Sequence, residues 1–173
     1  MTAQSAFNLM QWIDENAHLL EPPVGNAMLL PQGDFIVMAI GGPNTRTDYH
    51  DDPGEEIFYQ VVGGMSLRII ENGRPKDIPI GEGELYLLPA HVRHSPQRPA
   101  GSVGIVVERA RRSGELDAFE WYCEHCHALV HRRELLLADI YTDLPPVFEE
   151  YYGDASLRAC RACGHANPGK PAA

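Results

Sequence analysis

Positive charge is scarce in this chain: 14 Lys and Arg stand against 24 Asp and Glu, giving a net charge of −10 and a pI near 5.2. A phosphate-backbone partner calls for a clustered basic face, and the only dense basic stretch is the short Arg109-Ala110-Arg111-Arg112, so no nucleic-acid partner is expected. Long apolar runs are missing as well. None approaches the roughly 20 residues of a membrane span, and the first residues carry no basic-then-apolar leader. The expectation is a cytoplasmic protein with no membrane partner. Cysteine is confined to four residues in two close pairs near the C-terminus, which is not the spread of a disulfide framework. Turn formers, by contrast, are plentiful, with 14 Pro and 16 Gly in 173 residues that are 44% hydrophobic. That length suits one domain with a real core plus an appendage, and the turns suit short strands.

The periodicity divides the chain accordingly. Residues 8–20 place Leu9, Ile13, Ala17 and Leu20 on one helical stripe, with Asn8 able to cap the first turn. Phe35 to Ile40 is β-rich, and strand alternates with turn through Glu56–Val62, Met65–Ile70, Lys76–Ile80, Glu84–Pro89 and Ser102–Glu108. Punctuation comes at Gly63-Gly64, Asn72-Gly73, Gly81 to Gly83 and Pro89. No internal repeat stands out. Short strands at close spacing indicate a mainly β antiparallel barrel or sandwich.

If Thr45 to His50 is extended, Arg46, Asp48 and His50 share one face while Thr45, Thr47 and Tyr49 take the other. Asp51-Asp52-Pro53-Gly54 then reads as a tight turn of solvated charges that returns the chain into a strand where either Glu55 or Glu56 can point inward beside His50. Downstream, Pro89 ends a strand and is followed by His91, His94 and Arg98, the last two an even number apart and so on one face of an extended chain. His50, a Glu and His94 make two imidazoles and one carboxylate, the facial set that holds iron(II) and leaves three positions open. His18 and His91 read as surface or supporting residues, and Arg93, Arg109, Arg111 and Arg112 as exposed charges.

Cys123-x2-Cys126 and Cys160-x2-Cys163 form two knuckles able to surround one tetrahedral metal with four thiolates, zinc or rubredoxin-type iron. His125, His127 and His165 lie nearby, but four thiolates complete the shell and leave no open position, so the site reads as structural. Between the knuckles, Ala128 to Ile140 suggests a strand or hairpin, and Asp143 to Asp154 a short helix opened by Asp143 or Pro145.

These segments carry a family resemblance. Gly83-x5-Pro89-x-His91-x2-His94 resembles the second motif of the cupins, and Asp48-Tyr49-His50-x5-Glu56-x6-Gly63 resembles the first, with Asp48 where many cupins have another histidine. Together with the stretch from Asn44 to Gln60, Leu87 to Pro99, Phe119 to Cys123 and the closing Cys160-Arg161-Ala162-Cys163, the chain resembles the bacterial 3-hydroxyanthranilate 3,4-dioxygenases over nearly its whole length. The resemblance implies a cupin, a double-stranded β-helix or antiparallel jelly-roll barrel with a short N-terminal helix, over 1–115 and a small metal-binding extension over 116–173. It implies a catalytic Fe(II) held by His50, Glu56 and His94, the six-residue spacing to Gly63 favouring Glu56 over Glu55. It implies cleavage of 3-hydroxyanthranilate by O2 to 2-amino-3-carboxymuconate semialdehyde, on the kynurenine route to quinolinate and NAD. Arg98 and Glu108 become substrate contacts, expected to be coupled to each other. Arg46 and Asn26 fall on the O2 side, Asp48 orients one of them, and the four-cysteine site holds a second Fe or Zn in a homodimer. Other readings are a cupin dioxygenase for another aminophenol or a catechol, a metal-dependent isomerase or binding module, and an electron carrier built on the thiolates.

Overall fold

The structure, a computed structural model, describes residues 5–22, 25–30, 33–44 and 46–170. Thr45, assigned above to an outer face, lies outside the described residues. The chain opens with helix α1 (Leu9–Glu15), capped as expected by Asn8, whose side chain accepts from the Gln11 amide at 3.0 Å. The helix stops earlier than its apolar stripe predicts. Asn16 turns its side-chain amide back onto the Trp12 carbonyl at 2.8 Å, and a single 3-10 turn, Ala17–Leu19, carries the stripe on to Leu20.

Eleven strands follow among the described residues, all paired antiparallel. One sheet runs in the spatial order β1 (Asn26–Met28), β2 (Phe35–Gly41), β9 (Val103–Arg109), β4 (Glu56–Val62), β7 (Leu85–Leu88). The other runs β11 (Leu129–Leu135), β10 (Asp117–Tyr122), β3 (Tyr49–Asp51), β8 (His94–Gln97), β5 (Met65–Glu71), β6 (Arg74–Ile80). Asn72-Gly73 joins β5 to β6 with both residues at positive φ, as a two-residue hairpin of this type demands. This is the mainly β, two-sheet antiparallel architecture of a cupin.

Alternation along the strands places the core between the sheets. Glu56, Phe58 and Gln60 of β4 are buried in step with Met65, Leu67 and Ile69 of β5, and Phe58, Leu67, Ile69, Leu88 and Val106 form the inter-sheet cluster. Burying a side chain such as Phe58 or Leu67 contributes about 1.5–3 kcal/mol. A second cluster lies on the opposite face of the first sheet, where Ile13 and Leu20 cover Ala39 and Ile105. The third joins Phe119 and Trp121 of β10 to Val147 and Tyr151 of helix α2 (Ile140–Gly153). That helix starts before the position the sequence suggests. Asp139 caps it by accepting from the Tyr141 amide, Asp143 accepts from the amides of Ala138 and Asp139, and Pro145 and Pro146 sit inside it. Because β10 pairs with β3, the C-terminal region adds strands to the same sheet that carries the two central histidines.

Candidate metal centre and substrate pocket

Two histidines come from one sheet and two carboxylates from the other. His50 and His94 face each other across β3 and β8 with ring centroids 5.2 Å apart, while Glu56 and Glu108 are register partners across β4 and β9. The bend from Asp52 to Glu55 crosses between the sheets, so the residues after His50 reverse and deliver Glu56 beside it. Donor atoms of His50, Glu56 and His94 lie within 4.8 Å of one another, all three side chains buried. Phe119 stacks on His50 at 4.8 Å and Phe58 meets His94 edge-on at 5.9 Å, so apolar rings fix both imidazoles.

The hydrogen bonds settle what these groups lack. His94 Nδ1 lies 3.0 Å from the Val92 carbonyl, which can only accept, so Nδ1 carries a proton and Nε2 is the nitrogen turned towards the site. Nε2 in turn faces Glu56 Oε1 at 3.0 Å, and that buried oxygen has no other partner among the described residues. Either a proton on Nε2 or a divalent metal ligated by both groups closes this pair, and His50 beside it completes a three-residue donor set for the metal. Burial opposes the ionisation of Glu56, but the facing His94 and His50 hold its carboxyl below the ordinary range. His50 Nε2 meets Asp117 Oδ1 at 2.8 Å, the carboxylate contact that commonly orients a ligating imidazole. Burial disfavours the His50 cation, but Asp117 and the nearby carboxylates outweigh it and raise its pKa.

Around this set lies a second layer of charge that the sequence reading missed. Arg111 donates to Asp117 and Glu108 at 2.6 Å each and pairs with Asp52 at 2.7 Å. Its charge is opposed by burial but held by those three carboxylates. Asp52 is pushed up to about 6 by burial and then by the charge of Glu56, and Glu108 is raised for the same two reasons. Arg111 is therefore not an exposed charge but the counter-ion of the centre, since three buried carboxylates could not otherwise remain ionised together.

Asp51 and Asp52 also depart from expectation. Both are buried, Asp51 against Arg132 and His91 and Asp52 accepting from the Gly54 amide at 2.6 Å, because β10, β11 and the segment after β9 close over the turn. Glu55 alone remains solvated. The expected Arg98–Glu108 coupling is not formed either. Glu108 belongs to Arg111, and Arg98 donates to Gln60 at 3.0 Å. Arg46 and Asp48 pair directly, Arg46 Nε donating to Asp48 at 3.2 Å, so of the two groups Asp48 orients Arg46. Asn26 is register partner to Ile40, which packs on the inter-sheet core; its buried Oδ1 has no partner among the described residues. Arg98 is lowered to about 10 by burial and by the like charge of Arg46.

The four cysteines converge independently. Cys123 and Cys163 sulfurs lie 3.6 Å apart, as do those of Cys126 and Cys160, too far for disulfides. A tetrahedron of sulfurs about 2.3 Å from a central metal has edges of about 3.8 Å, so the donor set fits a tetrathiolate ion. The knuckles match: His127 and Gly164, each directly after the second cysteine, take positive φ and donate to the carbonyls of Cys123 and Cys160. Asn167 accepts from the Glu124 amide and donates to the Tyr122 carbonyl, tying one knuckle to the other. The Cys123 thiol, opposed by burial but bonded by the amides of Cys126 and His125, falls to about 6 and is ready to ligate.

The model of the family described as 3-hydroxyanthranilic acid dioxygenase matches residues 1–152. The chain is 55% identical over 171 residues to the 3-hydroxyanthranilate 3,4-dioxygenase of Ruegeria pomeroyi, covering 98% of this chain and 95% of that one. It is 54% identical to the enzymes of the same name from Shewanella woodyi (98% and 90% covered) and Brucella anthropi (98% and 95%). Among solved structures, a Neisseria meningitidis protein matches with a TM-score of 0.50 at 16% identity, over 61% of this chain and all of that one, a likeness of fold alone. A cupin-2 domain protein from Shewanella frigidimarina scores 0.48 at 15% identity, over 57% and 92%.

Proposed function

The chain belongs to the 3-hydroxyanthranilic acid dioxygenase family, and we propose on that footing that it cleaves 3-hydroxyanthranilate with O2, adding both oxygen atoms to give 2-amino-3-carboxymuconate semialdehyde. The observation that carries the site assignment is the buried convergence of His50, Glu56 and His94, whose donor atoms lie within 4.8 Å of one another with His94 Nε2 facing Glu56 Oε1. His50, Glu56 and His94 would hold an iron(II) ion, which would supply the redox chemistry that lets an aminophenol ring and O2 react without an outside reductant.

The chain's own residues do the rest. Arg98, buried and with Nη2 unpartnered, receives the ring carboxylate. Glu108, whose carboxyl is held above its ordinary pKa, accepts the proton that the ring hydroxyl releases on binding, and Arg111 fixes its position. Arg46, steadied by Asp48, and the free oxygen of Asn26 border the O2 side. Phe58, Val106 and Phe119 exclude water around the reacting ring. We place the boundary between the cupin part and the metal-binding extension at residues 115 and 116, the extension lending Asp117 and Phe119 to the catalytic centre, and read Cys123, Cys126, Cys160 and Cys163 as a structural Fe or Zn site. We also read the protein as a cytoplasmic homodimer. The described residues contain no helix long and apolar enough to cross a membrane, and Tyr59, Leu85 and Leu87 leave an apolar sheet face for a second copy.

The test is metal exchange. Protein stripped and reloaded with iron(II) should consume O2 only when 3-hydroxyanthranilate is present and build up a strong near-ultraviolet product band; zinc-loaded protein should do neither. Equal turnover with zinc, or none with iron, would overturn the assignment.

A further inference from the structure

Arg98 differs from the partly buried arginines around it in the company it keeps. Arg46 has Asp48, Arg111 has Asp52, Glu108 and Asp117, and Arg132 has Asp51 and Glu120. Arg98 is more buried than any of them, 3% exposed, yet its side chain meets only a neutral carboxamide, Gln60 Oε1 at 3.0 Å, and its Nη2 has no partner among the described residues. Its main chain is pinned, the Arg98 amide donating to Asn44 Oδ1 at 2.8 Å.

The strand register explains how this arrangement fits. Facing pairs Glu56–Glu108, Phe58–Val106 and Gln60–Gly104 run along the inner face of β4 and β9, from the metal end to the arginine end. At the last pair, a Cβ on residue 104 would lie 2.2 Å from Gln60 Oε1 and 2.7 Å from Arg98 Nη1, so the absence of a side chain at Gly104 is what admits both tips. Gln60 is itself 1% exposed, and its amide points to the Gly63 carbonyl at 3.4 Å.

We infer that Gln60 is a positioning residue that sets specificity: it aims Arg98 through a neutral contact, with Gly104 as the gap, so that the arginine's charge is left for the carboxylate of an aromatic acid. Glu has the same shape as Gln but would satisfy the guanidinium internally and remove the site's demand for an anion. The inference rests on the reading that Arg98 receives the substrate carboxylate. On that reading it names what makes the pocket select a carboxylated aminophenol over the bare aminophenol.

Anaerobic titration of the iron-loaded protein with 3-hydroxyanthranilate and with 2-aminophenol, which lacks only the carboxylate, tests it. Gln60→Glu should weaken 3-hydroxyanthranilate by roughly tenfold to a hundredfold, the range of one charge-assisted hydrogen bond, while 2-aminophenol changes less than about threefold. In turnover, KM for 3-hydroxyanthranilate should rise while kcat stays within about threefold. Gly104→Ala, which pushes the two flexible tips apart without adding charge, should shift the same ratio in the same direction and decides the matter if Gln60→Glu does not fold. Arg98→Met serves as the control. If Arg98→Met discriminates the two ligands as the unmodified protein does, the assignment of Arg98 fails. If Arg98→Met loses the discrimination while Gln60→Glu and Gly104→Ala keep it, or weaken both ligands alike, the role of Gln60 is refuted.

Discussion

Replacing Arg111 with Met tests the account of charge around the metal centre. The substitution keeps most of the side chain's length and removes the one cation shared by Asp52, Glu108 and Asp117. Because Arg111 and all three carboxylates are largely shielded from water, the loss belongs with broken buried ion pairs, about 3–5 kcal/mol, rather than with surface pairs. For a chain of this size each kcal/mol is about 2–4 °C in Tm, so the variant should melt roughly 6–20 °C lower. The deficit should also depend on pH with a definite sign. Without Arg111 the stranded carboxyls have folded-state pKa values above their unfolded ones, so they favour folding below the unfolded pKa and lose that contribution as pH rises through the folded values. The gap between unmodified and variant protein should therefore be widest near pH 7.5 and narrow towards pH 5, where Asp52, already at about 6, takes up its proton. Urea unfolding followed by tryptophan fluorescence, with Trp121 fully buried against Tyr151, reads this out at matched metal content. A loss below about 1 kcal/mol at pH 7.5, or a gap that does not close in acid, would refute the reasoning.

Three further outcomes follow from the same geometry. Cys123→Ser should cut metal retention at the thiolate site and loosen the C-terminal region, measured by elemental analysis and by proteolysis after residue 122, while substrate-dependent O2 uptake persists in the folded fraction. Asp51→Asn should lower stability at neutral pH and flatten its acid dependence. Burial opposes the Asp51 charge, but bonds from Arg132 and His91 hold its pKa down, so its contribution is present above the unfolded pKa of about 4 and disappears as pH falls through the folded value. Phe119→Ala should cost about 3–5 kcal/mol by leaving a cavity between His50, Phe148 and Trp121, and should weaken iron retention by freeing the His50 ring, both measurable on the purified protein.

Much of this molecule was legible in the residue order because the information is local. The strand Glu56–Val62 was legible as a β-rich run between turns, while its alternation left Glu55 and Glu56 open until the fold buried Glu56 and Gln60 on its inner face. The two cysteine knuckles needed only their spacing. The two histidine segments were recognisable from the turns beside them, although β3 is three residues long and has too little pattern of its own. What escaped was set by distant chain. Asp51 and Asp52 look like solvated turn charges until Arg132, 81 residues away, and Arg111 fold over them. Asp117 meets His50 from 67 residues away. The pairing of Arg98 with Gln60 rather than with Glu108 depends on which arginine reaches Glu108 first, and Arg111, three residues on, wins by proximity. A core that buries this many carboxylates must import cations, and that requirement was the one available signal for Arg111.

The central claim is that His50, Glu56 and His94 together hold the iron at which 3-hydroxyanthranilate is opened. Iron content and O2 uptake measured side by side on unmodified protein and on His94→Ala test it most directly. The account predicts that His94→Ala keeps the metal at the four cysteines, loses the second ion and consumes no O2 with substrate. A His94→Ala protein that retains both ions and turns over 3-hydroxyanthranilate at the unmodified rate would contradict it.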